Sequence, residues 1–246
     1  MPGIYGMALI TLAVSAALWG GLLYVMSGRQ RRHLWLLLPG LPLSAVVNLL
    51  VKAPLAVLVG RAAGLPPQFV PGAPLWFLIF LFMLAPVFEE AIKVAPLLIP
   101  RVRAFLGSPM DALRAGMALG IGFGLGEAAY LAYAVAQAPQ YAGLPWYIFG
   151  GYAMERLFTC FVHGVMTTVV VMGLQRGGRR AVLGYLAGVG LHAATNVLAV
   201  LYQVGMASAG VTEIALLAVT LVMAGILAWL WRWANHAAGR STNCRA

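Results

Sequence analysis

Charge is scarce in this sequence. Asp, Glu, Lys and Arg make up 9% of its 246 residues, only six of them acidic, while 62% of residues are hydrophobic. A soluble domain carries about 25% charged residues, so that class is excluded. Cysteine is nearly absent. Cys160 lies within an apolar run and Cys244 in the C-terminal tail, which excludes a disulfide framework and a Cys-rich metal site. No His-Glu-x-x-His helix occurs, so the zinc-peptidase signature with both imidazoles on one helix is missing. No convincing internal repeat is visible, which counts against an inverted-repeat transporter. The first apolar stretch lacks a basic n-region and a convincing cleavage site, so it is expected to stay as a helix rather than act as a signal peptide.

Long apolar runs take the place of all this. Seven are long enough to cross a bilayer, roughly 4–26, 33–59, 75–99, 110–137, 146–173, 181–205 and 211–233. The expected fold is therefore all-α, a polytopic membrane bundle of seven transmembrane helices in a single integral membrane domain covering 1–246. Pro39, Pro42 and Pro54 make the second run the least regular, broken or tilted.

The net charge of +10 would suit nucleic acid, but its distribution does not. The basic residues sit in every second loop. Arg29, Arg31 and Arg32 follow the first run, Arg101 and Arg103 the third, Arg176, Arg179 and Arg180 the fifth, and Arg232, Arg240 and Arg245 the seventh. The intervening loops carry Arg61 or nothing basic. This alternation predicts an outside N-terminus and an inside C-terminus, with lipid and no nucleic acid as partner.

Against this background, Glu89-Glu90-x-x-Lys93 stands out, because no other charge lies between Trp76 and Ile99. Each such group costs roughly 2.5–3.5 kcal/mol at the bilayer centre. Helical spacing lets Lys93 neutralise one carboxylate, and whatever answers the other must come from elsewhere in the chain. Further polar residues follow in the later runs. The fourth holds Gly116, Gly120 and Gly124 at spacing four, with Gly122 and Gly126 interleaved, and then Glu127. The glycines read as close helix packing. The fifth run carries Gly151, Glu155, Thr159, His163 and Thr167 at spacing four, beside Arg156, and the sixth Gly184, Gly188, His192 and Asn196. Both stripes are expected to face the bundle interior. A rise of roughly 1.5 Å per residue puts Glu89, Glu90, His163 and His192 at similar depth, with Glu127 and Glu155 nearer the outer face. Glu213 reads as interfacial, and Asp111 as part of a helix N-cap after Ser108-Pro109.

Glu89-Glu90-x-x-Lys93, Phe123-x-x-x-Glu127, Arg156 seven residues before His163, and His192-x-x-x-Asn196 resemble, in the same order, the PrsW family. The Glu155-Arg156…His163 form resembles its YhfC relatives, and both fall in the superfamily of CAAX prenyl endopeptidases and bacteriocin-processing enzymes. The resemblance runs from about Pro86 to Asn196 and implies a catalytic core near 75–205. It implies an intramembrane endopeptidase of the bacterial plasma membrane acting on a membrane-embedded or lipid-modified protein or peptide. Glu89 or Glu90 would activate water, and Glu127, His163, His192 and Asn196 would complete the site, with Lys93, Glu155 and Arg156 in support. PrsW sequences commonly carry Asp where this chain has Asn196, whereas the CAAX branch often has Asn. A neutral Asn donates to an oxyanion but is a poor metal ligand.

The reaction needs a base, an acid and oxyanion donors. The Glu pair is expected to divide the first two roles, one ionised and one protonated. His163, His192 and Asn196 are expected to hold the oxyanion. His163, His192 and a Glu also form a set able to bind zinc with an open position, so a metal is left open. Three other readings compete. A non-catalytic scaffold resembling the Aph subunit of gamma-secretase has no need of an uncompensated carboxylate. A proton-coupled transporter would use the Glu and His residues as a relay. Haem could be held between His163 and His192.

Overall fold

The computed structural model describes residues 3–29 and 31–243, with side chains to residue 237. Cys244 and Arg245 lie outside the described residues, as does the side chain of Arg240. Every regular element among the described residues is helical, and seven helical segments are long and apolar enough to cross a membrane.

The first is α1 (Gly3–Met26). The second is broken, as its prolines predict. It runs through a 3-10 turn (Arg31–Leu36), α2 (Leu37–Gly40), α3 (Leu43–Val47), a π-turn (Asn48–Lys52) and α4 (Ala53–Ala63). Pro54 explains the π-turn, because it cannot donate to the carbonyl of residue 50 and its ring crowds that carbonyl. A wider turn relieves the clash, and Ala53 N–H donates to Asn48 O across it. The third span is α5 (Leu75–Lys93), which begins after Pro74 in extended conformation. It runs into a 3-10 turn, the short α6 (Pro100–Arg103) and a loop.

The fourth and fifth spans, α7 (Pro109–Ala136) and α8 (Gly150–Arg176), form the centre. Of their apolar windows, 61% and 72% of residues are buried, against 17–33% for the other five spans. Ser108 caps α7, its Oγ accepting from Asp111 N–H at 3.1 Å, with Pro109 at the first helical position. Asp111 is thus held by the cap rather than being the cap. Around this pair stand α1, α5, α9 (Gly178–Gln203) and α10 (Ala209–Asn243). Their outward Leu, Ile and Val side chains, such as Leu9, Ile79, Leu186 and Leu221, are exposed and suited to lipid. Glu213 is exposed near the start of α10. Polar staples tie elements together. Trp19 donates to Leu157 O at 2.7 Å, Arg114 Nε to Met26 O at the end of α1 at 2.8 Å, and Tyr185 to Val87 O at 2.8 Å.

The glycines of α7 divide between two faces. A Cβ on Gly116, Gly120 or Gly124 would fall 2.5 Å from Thr168 Cα, 2.2 Å from His163 O and 2.7 Å from Cys160 Cα, all on α8. A Cβ on Gly122 or Gly126 would meet Leu37 O at 2.2 Å or Leu41 O at 1.8 Å. One stripe therefore admits α8 and the other admits the broken second span. Because the opposing atoms are backbone, no rotamer change can make room. Gly120→Ala is expected to destabilise by about 1–3 kcal/mol, lowering the thermal midpoint in detergent by about 2–4 °C per kcal/mol. Gly150→Ala, with nothing within 4 Å of the new Cβ, is the control. Equal midpoints for the two variants would refute the close-packing account.

Candidate active site

Pro86 lies inside α5, where it removes one backbone donor three residues before the acids. The next turn turns Glu89, Glu90 and Lys93 inward, all essentially buried. Lys93 Nζ reaches Glu90 Oε1 at 2.6 Å, so the neutralised carboxylate is Glu90. Glu89 is answered by Lys52, at the end of the π-turn, whose Nζ lies 2.5 Å from Glu89 Oε1. The answering charge thus comes from the second span, outside the expected core of 75–205.

The contacts continue as a chain through four spans. Lys93 Nζ is 2.8 Å from His163 Nδ1, and His163 Nε2 is 3.0 Å from Glu127 Oε2. Arg156 donates to Glu127 Oε2 at 2.7 Å and to Glu155 Oε1 at 2.7 Å. On the other side, His192 Nδ1 is 2.7 Å from Glu90 Oε1, and its Nε2 is 3.8 Å from Glu89 Oε2. The two imidazoles meet edge to face, with ring centroids 5.4 Å apart. Phe123 closes one side, 5.2 Å from the His163 ring and 4.6 Å from Lys93 Nζ.

Most of the expected site residues are brought together. Glu89, Glu90, Lys93, Glu127, Arg156, His163 and His192 form one connected cluster. Glu155 sits at its rim, its side chain 48% exposed. The stripe of spacing four explains this. Each four-residue step on a helix overshoots a full turn by about 40°, so two steps carry Glu155 about 80° from His163. Arg156, seven residues away, stays within about 20° and remains buried. The interior reading of that stripe holds for His163 and Thr167 but not for Gly151 or Glu155, which are exposed. Asn196 is part-buried one turn beyond His192, and among the described residues its side chain makes no hydrogen bond.

Each carboxylate in the cluster faces a cation: Glu89 with Lys52, Glu90 with Lys93, Glu127 with Arg156. The partner expected for the second carboxylate from elsewhere in the chain is Lys52, so each Glu of the pair has its own cation, and this weakens the argument for one protonated and one ionised Glu. The objection to a scaffold that rested on an uncompensated carboxylate also falls. Haem is not supported, because the contacting imidazoles leave no slot for a macrocycle between them.

A metal fits better. One donor atom each from buried Glu89, His163 and His192 lies within 4.8 Å of the others. Glu89 Oε2 is buried without a hydrogen-bond partner. Two imidazoles and a carboxylate make a three-ligand set that leaves a position open. Each imidazole has a carboxylate at one nitrogen, Glu127 for His163 and Glu90 for His192, the arrangement that orients metal-binding histidines. Asn196 is outside this set, so its neutrality does not bear on it. Lys93 Nζ, beside His163 Nδ1, already places a positive charge at the same spot.

A second polar group was not foreseen. Asp111 binds Arg32 and lies 3.9 Å from Arg114, while buried His33 comes within 3.3 Å of it. It ties the second span to the start of α7, away from the Glu/His cluster.

No curated protein and no solved structure matches the chain. Its sequence does match the family model described as PrsW family intramembrane metalloprotease, over residues 10–230. That range takes in all or part of every one of the seven spans. With buried carboxylates and imidazoles already converging between its central helices, the chain belongs to the PrsW family of intramembrane metalloproteases.

Proposed function

We propose that Glu89, Glu90, His163 and His192 form the reaction centre of this intramembrane peptidase, and that a zinc ion held by Glu89, His163 and His192 serves it. The observation that carries the proposal is the convergence of those three buried ligands within 4.8 Å. When bound, such an ion supplies Lewis-acid polarisation of the scissile carbonyl.

The chain's own residues do the rest. Glu90 accepts from Lys93 and His192 through Oε1, while its Oε2 is buried and free of hydrogen bonds. That oxygen takes a proton from the attacking water. The hydroxyl adds to the carbonyl carbon, and Glu90 returns the proton to the departing amine, so one water is consumed per bond cut. Glu127 holds His163 in one tautomer, as Glu90 holds His192. Arg156 anchors Glu127, and Asn196 is within one helical turn of His192 as a donor to the oxyanion. Glu155 supports Arg156 from the rim.

The substrate class that suits a buried centre in an apolar bundle is a membrane-embedded or lipid-modified protein or peptide. Alternating basic loops support an outside N-terminus and inside C-terminus, and the membrane proposed to hold the chain is a bacterial plasma membrane. The YhfC-like form of the Glu155-Arg156 motif supports a place in the wider CAAX-endopeptidase superfamily.

One observation favours a second, metal-free version. Lys93 Nζ sits 2.8 Å from His163 Nδ1, so the ammonium already supplies a cation there. In that version the Glu pair activates water, and His163, His192 and Asn196 bind the oxyanion.

Both versions require the same residues. With a single-span model peptide labelled by a fluorophore–quencher pair, in proteoliposomes, Glu89→Gln, Glu90→Gln and His192→Ala are each expected to lower kcat by about 10²–10⁴-fold. Normal cleavage by all three, at parental abundance, would refute the site. Prolonged dialysis against a strong chelator is expected to abolish cleavage, with zinc restoring it. Full activity in protein shown by mass spectrometry to be metal-free would leave the ammonium version standing.

A further inference from the structure

Lys52 belongs to none of the Glu, His or Asn motifs of the later spans, yet it makes the shortest contact of the Glu89 carboxylate. We infer that Lys52 is a positioning residue of the reaction centre: its ammonium fixes one oxygen of Glu89 so that the other is presented to His192 and the shared donor set. The inference rests on the reading that Glu89 takes part in catalysis.

Four observations carry it. Lys52 Nζ is 2.5 Å from Glu89 Oε1, and that contact leaves Oε2 without a hydrogen-bond partner, 3.8 Å from His192 Nε2. The carboxylate is therefore held by one oxygen and offered by the other. Second, α5 supplies no alternative, because Lys93 is engaged with Glu90 and His163. Third, Lys52 closes the π-turn forced by Pro54. An uninterrupted α-helix would present residue 52 at a different angle, so the wide turn and the contact are coupled. Fourth, Lys52 is on the wall of an open cavity of about 190 Å³, shared with Asn48, Gln68, Phe69 and Tyr130. Its side chain is 21% exposed while that of Glu89 is 1% exposed. Lys52 thus stands between the cavity and the buried carboxylate.

The test uses the full-length protein in proteoliposomes with the same fluorophore–quencher single-span peptide. Lys52→Met is expected to lower kcat by about 10–100-fold, the loss typical of removing a group that orients a ligand, with KM within about twofold. Lys52→Arg, which keeps the charge, is expected to recover most of the loss. Lys52→Gln, uncharged but still a donor, takes the place of Lys52→Met if the latter does not insert. Glu89→Gln runs alongside. An inactive Glu89→Gln with parental kcat in Lys52→Met or Lys52→Gln overturns the inference and leaves the proposed function intact. Equal losses in Lys52→Met and Lys52→Arg, accompanied by lower thermal midpoints, assign Lys52 to stability alone and overturn it as well. A fully active Glu89→Gln overturns the inference and removes Glu89 from the proposed centre.

Discussion

Charge compensation inside an apolar bundle is the constraint on which this structure depends. Helix α5 illustrates the scale. Glu89, Glu90 and Lys93 would together cost about 8–10 kcal/mol at a bilayer centre. The eleven Leu, Ile, Phe and Val residues of the helix return only about 3–7 kcal/mol on the same insertion scale. On that count the apolar residues of α5 do not by themselves offset its three charges. Lys52 and His192 come from other spans, and Lys93 reaches His163 on a third, so the deficit closes only when the helices meet. Removing one partner of a buried pair costs about 3–5 kcal/mol, because the other charge is stranded. The polar centre is thus both the candidate site of the chemistry and a reason for the helices to assemble in one register.

Register also needs close approach, and this is where the glycines of α7 matter. Imidazoles on α8 and carboxylates on α5 and α7 are short side chains that cannot bridge a wide gap. Gly120 lies against the carbonyl of His163 itself, so the tightest of the three glycine approaches to α8 falls at the residue that carries the candidate site imidazole. Gly122 and Gly126 bring the broken second span equally near on another face. A single helix with small residues on two sides seats the α8 arm of the cluster and packs against the span that carries Lys52. The cost of glycine in a helix, roughly 1 kcal/mol each in water, is offset by the packing these approaches allow.

Much of this was legible in the sequence, for a physical reason. Charged residues are so unfavourable in apolar runs that the few present mark the interior, and Glu89, Glu90, Glu127, His163 and His192 could be read one by one. The broken second span could be read from its prolines. Lys52 could not, because a lone Lys in a proline-interrupted run is indistinguishable from one that reaches up to the interface. Only the π-turn reveals where it points. Glu155 faces outward, against the expectation from its stripe, because a spacing of four drifts around the helix, whereas the spacing of seven from Arg156 to His163 stays in line. The cluster of His33, Arg32, Arg114 and Asp111 joins residues far apart in sequence, and no periodicity within one helix encodes it.

The position of Lys93 bears on how metal and protein charge share one space. Its ammonium touches both Glu90 and His163, one a candidate base and the other a candidate ligand. A divalent ion at the Glu89–His163–His192 set would raise the local positive charge beside an existing ammonium, which opposes binding. The carboxylates of Glu90 and Glu127, each beside one nitrogen of an imidazole, oppose that penalty, since each adds negative charge where the ligands are held. Counting Lys52, Lys93 and Arg156 against Glu89, Glu90 and Glu127, the cluster without Glu155 is neutral when both imidazoles are neutral. A water or an ion entering a centre balanced in this way would be held by geometry more than by net field. Its selectivity therefore rests on the positions of individual oxygen and nitrogen atoms, and so on the contacts that aim them.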